Sequence, residues 1–385
     1  MGAVYTPDVP LDLAAWLPRF PVREHCLYLD HAGVAPLPAT VAEAMRARIA
    51  GFESGTAGAE QAIEEELTVR ALSGQLLSCN ADDVSIVPSA AAGLSLLVGS
   101  MPWRKGDVVL LGAEEVASLA APVLALQQEG VRVRRILTEG GRIIPDTFSP
   151  LLGKNVRLAV FSWVAPHRGC VTSAAEVCGV AREHDVPVVL DLSQGLGALP
   201  CSLRSLGADA VVADGHRWLL GPQGAGLLVT TPALRQRLHP AMVGWHNAGA
   251  APEAAGSGPL EIPADGRRLE PDGTPPVLLA GFAAALDLVV EAGVDAVSER
   301  LSALTRGLTH HLLEEGWSVE SPGSGHASAG IVSARHPFLP PDEVVTRLRR
   351  RHIVASSLQR LVRFSPHFYV TAGEIDALRV ILGKL

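Results

Sequence analysis

The feature that most constrains this fold is a regular alternation of apolar runs and helical stretches between residues 84 and 230. Between the apolar runs, segments such as AAEVCGVAREH (174–184) repeat their apolar positions at helical spacing. Continuous apolar strands separated by helices predict a mostly parallel sheet that helices cover on both faces. The apolar runs are VSIVP (84–88), VVLLG (108–112), LAVFSW (158–163), VPVVLD (186–191), DAVVAD (209–214) and AGLLVT (225–230).

The chain after this region predicts a second, smaller unit. Residues 246–276 are rich in glycine, proline and alanine, and they predict a long loop. Two amphipathic helical patterns follow, and then β-like and helical segments continue to the C-terminus. We therefore predict a large α/β domain over residues 15–262 and a small α+β domain from residues 1–14 and 263–385.

Composition excludes several classes of function. Hydrophobic residues make up 48% of the 385-residue chain and charged residues 19%, which is typical of a globular protein. The net charge of −8 argues against a nucleic-acid partner, and no apolar run is long enough to span a membrane. The 5 cysteines contain no CxxC pair, so we expect a cytoplasmic protein without a disulfide framework or a metal site.

Several segments resemble, in order and spacing, those of class V aminotransferases, the group that includes cysteine desulfurases and isopenicillin N epimerase. The resemblance covers nearly the whole chain and implies the type I fold of pyridoxal-phosphate (PLP) enzymes, with a seven-stranded type of mostly parallel sheet and a smaller α+β domain. The matching segments are YLDHAGVAPLP (28–38), FSWVAPHRG (161–169), VVLDLSQGLGALP (188–200), GADAVVADGHRWLLGPQGAG (207–226), LEPDGTPP (269–276) and VRFSPHFYVTAGEID (362–376).

The resemblance implies roles for residues at the cofactor. Asp191 matches the aspartate that pairs with the pyridine nitrogen, where a carboxylate keeps the ring protonated as an electron sink. Gln194 matches the group that hydrogen-bonds the ring hydroxyl. Gly273 and Thr274 resemble the loop that a partner subunit lends to the cofactor phosphate, which implies a dimer. Alternatively, Asp191 caps a strand end and Gln194 is a residue of a helical first turn.

The resemblance also implies a pocket for a substrate carboxylate. Arg363 matches the arginine that grips this group, a bidentate task that suits a guanidinium. His31 lies in the N-terminal segment near the same pocket. The alternatives are a surface cation on a strand for Arg363 and a turn histidine for His31. We expect a small carboxylate or amino-acid-like ligand.

Arg217 departs from the family pattern. The resemblance places it, after His216, where relatives carry the lysine that forms an imine with PLP. A guanidinium keeps its proton and delocalises its lone pair, so Arg217 cannot form that imine. The chain has only three lysines, Lys105, Lys154 and Lys384. The alternative is that Arg217 is a surface cation away from the site.

Further departures fall at other expected cofactor contacts. The phosphate-binding turn reads PSAAAG, in which Ser89 is the only hydroxyl, and Val116 stands where relatives stack an aromatic ring. We therefore expect no covalent cofactor, and PLP or its amine form, PMP, only if bound non-covalently. The remaining departures are Ala90, Ala91 and Ala92 at hydroxyl positions, and Pro276 and Val370 at asparagine positions.

Three functions fit this pattern. The first is a repurposed or degenerate homologue that works without PLP; the second is an enzyme that uses PLP or PMP non-covalently, with His216 as the proton-transfer base. The third is a non-catalytic subunit paired with an active paralogue. We rank the first above the third, and the third above the second.

A cysteine desulfurase is disfavoured because segment 351–364 contains Ser356 and Ser357 but no nucleophilic cysteine.

Overall fold

The computed structural model describes residues 11–248, 261–322 and 329–385. Within these ranges, short strands alternate with helices as the apolar runs predict. The strands are β1 (Leu27–Tyr28), β2 (Val84–Val87), β3 (Val108–Gly112), β4 (Arg132–Ile136), β5 (Val156–Ser162), β6 (Val188–Asp191), β7 (Ala210–Asp214), β8 (Gly226–Thr230), β9 (Ser318–Val319), β10 (Val332–Arg335), β11 (Ile353–Val354), β12 (Ser356–Leu358) and β13 (Leu361–Phe364).

The helices fall between the strands and at the end of the chain. They are α1 (Leu13–Trp16), α2 (Ala39–Ser54), α3 (Ala59–Leu77), α4 (Ala90–Gly99), α5 (Ala117–Ala125), α6 (Pro145–Phe148), α7 (Ala174–Arg182), α8 (Leu203–Leu206), α9 (Pro232–Arg235), α10 (Pro276–Ala292), α11 (Val294–Glu314), α12 (Pro341–Arg349) and α13 (Ala372–Leu382).

The central sheet has seven strands in the order β2-β8-β7-β6-β5-β3-β4. Strands β3 to β7 pair in parallel, whereas β8 is antiparallel to both β7 and β2. This confirms the predicted mostly parallel sheet. Alternate residues of β3 point to opposite faces, because Val108 and Leu110 join one apolar cluster while Val109 and Leu111 join another.

Strand β4 was absent from the predicted runs, and its sequence explains why. It reads RVRRI and lies at the edge of the sheet, with Arg132, Arg134 and Arg135 exposed. Charged side chains are common on edge strands because they oppose pairing with other chains. An edge strand therefore does not show the continuous apolar run that identifies a buried one.

The small domain is built on a four-stranded antiparallel sheet in the order β12-β13-β10-β9. Two contacts cross the borders predicted for the two domains. Strand β1 pairs in parallel with β11, and helix α10 packs on α2 and α3.

Part of the predicted loop at 246–276 lies outside the described residues, namely 249–260. The described remainder contains a 3₁₀ helix at Gly266–Leu269, and α10 begins at Pro276. No single described helix is both long and apolar enough to cross a membrane; only α10 and α11 taken together reach that length and composition, with a bend of 77° between them.

Candidate ligand site

Polar side chains collect where neighbouring parallel strands end. Asp191 ends β6 and Asp214 ends β7, and the two strands are hydrogen-bonded neighbours. Ser162 ends β5 on the other side, opposite Asp191 in the register. This edge of an open parallel sheet is where ligands bind, because the strand ends and the loops after them surround a common crevice.

A cavity of about 190 Å³ lies at this edge, and we call it the arginine cavity. Its volume is below the roughly 300–1,000 Å³ of typical small-molecule sites. Five of the predicted site residues line it together with Asp214, while a larger groove of about 480 Å³ near Arg335 and Gln359 contains none of them. The five are Val116, Asp191, Gln194, Arg217 and Arg363.

Arg217 is anchored by the chain on three sides and only partly exposed. Its Nε donates to Asp214 Oδ2 at 3.1 Å. Its Nη1 donates to the carbonyl oxygens of Ala32 and, at 3.0 Å, Gly33. The alternative of a surface cation is therefore wrong, since the guanidinium lines the cavity and is paired with a buried carboxylate.

Asp214 also controls the start of α4, a contact that sequence reasoning missed. Its Oδ1 accepts from the backbone N–H of Ala90 at 2.9 Å, while Ser89 Oγ accepts from Ala92 N at 3.1 Å. Two of the free amides at this helix end are therefore satisfied within the chain. Ala90 contacts Asp214 through its backbone, but Ser89, Ala90 and Ala91 do not line the arginine cavity.

Asp191 is buried and lines the cavity. Its Oδ1 accepts from Ser193 N at 2.8 Å. Burial raises the pKa of Asp191 to about 6; hydrogen bonding to Ser193 opposes this rise and the charge of Asp214 adds to it. Burial likewise raises the pKa of Glu115 to about 7, although that carboxylate accepts from Ser162. Two acids at this edge therefore titrate near neutrality.

Gln194 is largely engaged by neighbouring groups. Its Nε2 donates to the Ala32 carbonyl at 2.9 Å, and its Oε1 accepts from Trp218 Nε1 at 3.0 Å. One N–H of the amide is left for a ligand. Gln194 thus lines the cavity as predicted, but most of its hydrogen-bonding capacity holds the N-terminal segment and Trp218 in place.

Arg363 reaches the cavity from β13 of the small domain. Its Nη2 lies 3.3 Å from Asp30 Oδ1, and its Nη1 donates to the Pro166 carbonyl at 3.1 Å. Burial lowers the pKa of Arg363, Asp30 opposes this, and the charge of Arg217 lowers it further, so the two guanidiniums are electrostatic neighbours. A side chain at position 33 would meet the Asp30 carboxylate, with 2.5 Å between Cβ and Oδ2, so Gly33 permits this arrangement.

Other predicted residues lie outside the arginine cavity. His31 is fully buried, and both ring nitrogens are occupied, by Ser365 O at 3.0 Å and by Tyr369 Oη at 2.8 Å. His31 therefore contacts the chain itself and does not line the cavity, and the substrate-binding role stays a prediction. His216 is half-buried but does not line the cavity, and burial lowers its pKa. Gly273 and Thr274 do not line it either.

No lysine or cysteine side chain reaches this site. All three lysines are exposed, at positions 105, 154 and 384, and none lines the cavity. None of the five cysteines lines it either, and burial raises the pKa of each thiol, to about 12 for Cys178 and Cys201. The polar groups available here are carboxylates, guanidiniums, an amide and the hydroxyls of Ser118 and Ser193.

A second buried charged group lies beside α3, and we call it the Arg70 cluster (Glu66, Arg70, His246 and Glu270). One ligand atom from each acid and from His246 lies within 4.8 Å of the others, a spacing that a metal ion could bridge. However, Arg70 Nη2 contacts Glu66 at 2.6 Å and Glu270 at 2.8 Å. The guanidinium supplies the positive charge here, so we assign an ion-pair cluster and not a metal site.

Comparison with known proteins places the chain in a family. The family model described as "Aminotransferase class-V" matches residues 27–378. The chain is 32% identical to isopenicillin N epimerase of Streptomyces clavuligerus, covering 78% of this chain and 80% of the relative. It is 24% identical to a probable cysteine desulfurase of Methanothermobacter thermautotrophicus, over 94% of this chain and 95% of the relative.

Solved structures support the fold. An apo cysteine desulfurase from Thermococcus onnurineus NA1 superposes with a TM-score of 0.87 at 18% identity, covering 99% of each chain. The cystine C-S lyase C-DES, in complex with cysteine persulfide, gives 0.87 at 22% identity, covering 95% of this chain and 99% of that one. The type I fold of PLP enzymes is thus confirmed, and the chain belongs to the class-V aminotransferase family.

Proposed function

We propose that this chain is a class-V aminotransferase homologue that works without covalently bound PLP and binds a small carboxylate or amino-acid-like ligand. The observation that carries the proposal is the arginine cavity itself, where Arg217 and Arg363 face a common space that no lysine lines. Guanidiniums bind carboxylates strongly because their N–H groups form paired, charge-assisted hydrogen bonds.

The residues present do not fit PLP, the cofactor that the fold family implies. Arg217 cannot form an imine, and the three exposed lysines are not in the cavity. The start of α4 would be the natural place for a phosphate, but the Asp214 carboxylate already accepts from Ala90 N there. A phosphate would meet both an occupied amide and a like charge. We therefore propose no step through PLP.

Cysteine desulfurase chemistry is also disfavoured for this chain. It would need a nucleophilic thiolate, and burial raises the pKa of every cysteine. At the loop before Arg363 the chain has Ser356, whose hydroxyl donates to Asp30 at 2.7 Å. This hydroxyl supports the arginine and is itself held in place.

A non-catalytic subunit of a heterodimer is the second candidate. The Gly273–Thr274 loop does not line this chain's own cavity, and the neighbouring Trp245 is 71% exposed. Such a loop could be lent to another chain. Affinity purification from the native host decides this candidate: a stoichiometric paralogue favours it, and a homodimer counts against it. Non-covalent PLP with His216 as base ranks below, because that side chain lies outside the cavity.

Two measurements on the purified full chain test the first proposal. Titration with PLP should give no absorbance band at roughly 420 nm, the region of a protonated imine. Calorimetry with small carboxylates and small amino acids should give saturable binding that Arg363→Gln weakens by about tenfold or more. A 420 nm band, or no heat with any of these ligands, would overturn the proposal.

A further inference from the structure

His246 is the member of the Arg70 cluster whose charge ordinarily changes near neutral pH, because an unperturbed imidazole titrates at about pH 6.5. Its Nε2 lies 3.5 Å from Glu66 Oε2, and its buried Nδ1 lies 3.4 Å from Glu270 Oε2. A neutral imidazole has a single N–H, so its other nitrogen turns a lone pair toward a carboxylate. An imidazolium has an N–H on both nitrogens. The geometry therefore suits the protonated ring.

The charges of the cluster balance only when His246 is protonated. Arg70 Nη2 contacts Glu66 at 2.6 Å and Glu270 at 2.8 Å, so one guanidinium serves two acids. An uncompensated negative charge is costly here because Glu270 is buried. The hydrogen bond to Glu66 raises the pKa of His246, burial lowers it, and the charges of both acids raise it further. A deprotonated ring leaves the cluster with one more negative charge than positive charges.

Few other charges act on this ring. Among the described residues, the charged groups that face it are Glu66 and Arg70 from α3, and Glu270 from the segment after the 3₁₀ helix. Asp265 and Arg267, at that helix, pair with each other at 2.6 Å. The protonation of the ring is therefore governed by the cluster itself.

The ring belongs to a short stretch, residues 244–247, which we call the Trp245 segment. Within it, Gly244 N donates to Asn247 Oδ1 at 2.9 Å, and His246 N donates to a carbonyl oxygen at 3.3 Å. Trp245 itself is 71% exposed, and its ring lies 5.1 Å from the His246 ring. The imidazole thus connects an exposed segment to two buried acids, one of which lies on α3.

We propose that His246 is a pH-sensitive latch: its protonated ring bridges Glu66 and Glu270 and holds the Trp245 segment against α3, and deprotonation releases that segment. Arg70 contacts both acids in either state, so the cluster loosens without coming apart. Because the pKa of His246 is raised in the folded chain, the latch gives its full stabilisation below about pH 6.5 and loses it as the pH rises through the folded-state pKa.

Amide hydrogen exchange on the full chain tests the latch without any variant. After correction for the intrinsic rate at each pH, protection of the Trp245 segment should fall severalfold in the wild type between about pH 6 and about pH 8.5. Amides of β6, at the centre of the large sheet, should change far less and serve as the internal reference. Unchanged protection of the Trp245 segment across this range would overturn the proposal.

A variant then assigns the effect to the charge of His246. His246→Gln keeps a polar side chain but cannot be protonated, so the Trp245 segment should be weakly protected at both pH values. Its urea midpoint should lie below that of the wild type by more at about pH 6 than at about pH 8.5. His239→Gln, at an exposed position, is the matched control and should behave like the wild type. Equal losses at both pH values in His246→Gln would show that the charge of the ring is not the cause.

Discussion

The Arg70 cluster and the arginine cavity both combine arginines with buried acids, but they differ in how those acids are paired with positive charge. In the Arg70 cluster, one guanidinium contacts two carboxylates at 2.6 and 2.8 Å, and His246 lies 3.4 Å from Glu270. In the arginine cavity, each guanidinium has its own carboxylate, and among the described residues none forms an ion pair with Asp191. In the first group one guanidinium is paired with both acids, whereas the second has an acid without an ion pair among the described residues.

This difference separates a structural role from a binding role. In the Arg70 cluster burial raises the pKa of Glu270, whereas at Glu66 burial is outweighed by hydrogen bonds from His246 and Arg70, which lower the pKa of that acid to about 2. Burial raises the pKa of Asp191 to about 6, so charge is penalised in the cavity. Buried groups with shifted pKa values and unused hydrogen-bonding capacity are the ones to expect at a functional site.

Arg70→Leu should produce the largest change, and only in stability. It leaves the buried Glu270 without its cation, which costs about 3–5 kcal/mol of the free energy of unfolding. Urea denaturation measures this loss. Arg267→Leu removes an exposed ion pair with Asp265 and should cost less than about 1 kcal/mol. Equal losses in the two variants would contradict the structural role of the Arg70 cluster.

Asp191→Asn should stabilise the ligand-free protein in a pH-dependent way. Because the folded-state pKa of this acid is raised to about 6, the folded protein keeps a proton that the unfolded chain loses between about pH 4 and pH 6. The free energy of unfolding of the wild type therefore falls as the pH rises through that window. At about 1.4 kcal/mol per pKa unit, the variant should gain about 2–3 kcal/mol at pH 7.5 and little at pH 4.

Urea denaturation at both pH values gives this comparison, with Asp295→Asn as the control that should show no pH-dependent gain. A pH-independent gain would mean that ionisation of Asp191 is not the cause. The charged groups around Asp191, namely Glu115, Asp214 and Arg217, are present in both proteins, so the difference reports Asp191 together with its effect on Glu115, whose pKa the charge of Asp191 raises.

Arg217→Lys should not create a PLP enzyme. The lysine loses the Nη1 hydrogen bonds to the Ala32 and Gly33 carbonyls, which costs about 1–2 kcal/mol of stability. PLP should still give no absorbance band, because Asp214 continues to occupy Ala90 N at the start of α4. Arg217→Lys combined with Asp214→Asn removes that carboxylate charge and should bind PLP better than the single variant. Full PLP binding by the single variant would show that Asp214 is no obstacle.

His216→Gln should produce the smallest change. Its side chain makes no hydrogen bond to any described residue and lies outside the cavity. We expect a change in stability within about 0.5 kcal/mol and amino-acid affinity within about twofold of wild type. Thermal unfolding and calorimetry measure both. A loss of ligand binding would bring His216 back as a candidate base.

The sequence predicted the sheet well because its strands are continuous apolar runs, and it missed β4 because RVRRI carries its charges at an edge. Strand-end positions also located Asp191 and Arg217. The Arg363–Asp30 pair was out of reach, since it joins residues 333 positions apart. The two hydrogen bonds of His31, to Ser365 and Tyr369, were also out of reach, because they arise only from tertiary packing. Asp214 lies three positions before Arg217, and this short spacing is the sequence feature that could have predicted their ion pair.

The segment from Asp30 to Gly33 holds both guanidiniums, one from each domain: Asp30 binds Arg363 of β13, and the carbonyls of Ala32 and Gly33 bind Arg217 after β7. A ligand held by both arginines therefore also ties the small domain to the large one. Its binding free energy must oppose any separation of the domains. Occupancy should then be visible outside the cavity, as slower amide hydrogen exchange in β1 and β11, the paired strands next to this segment.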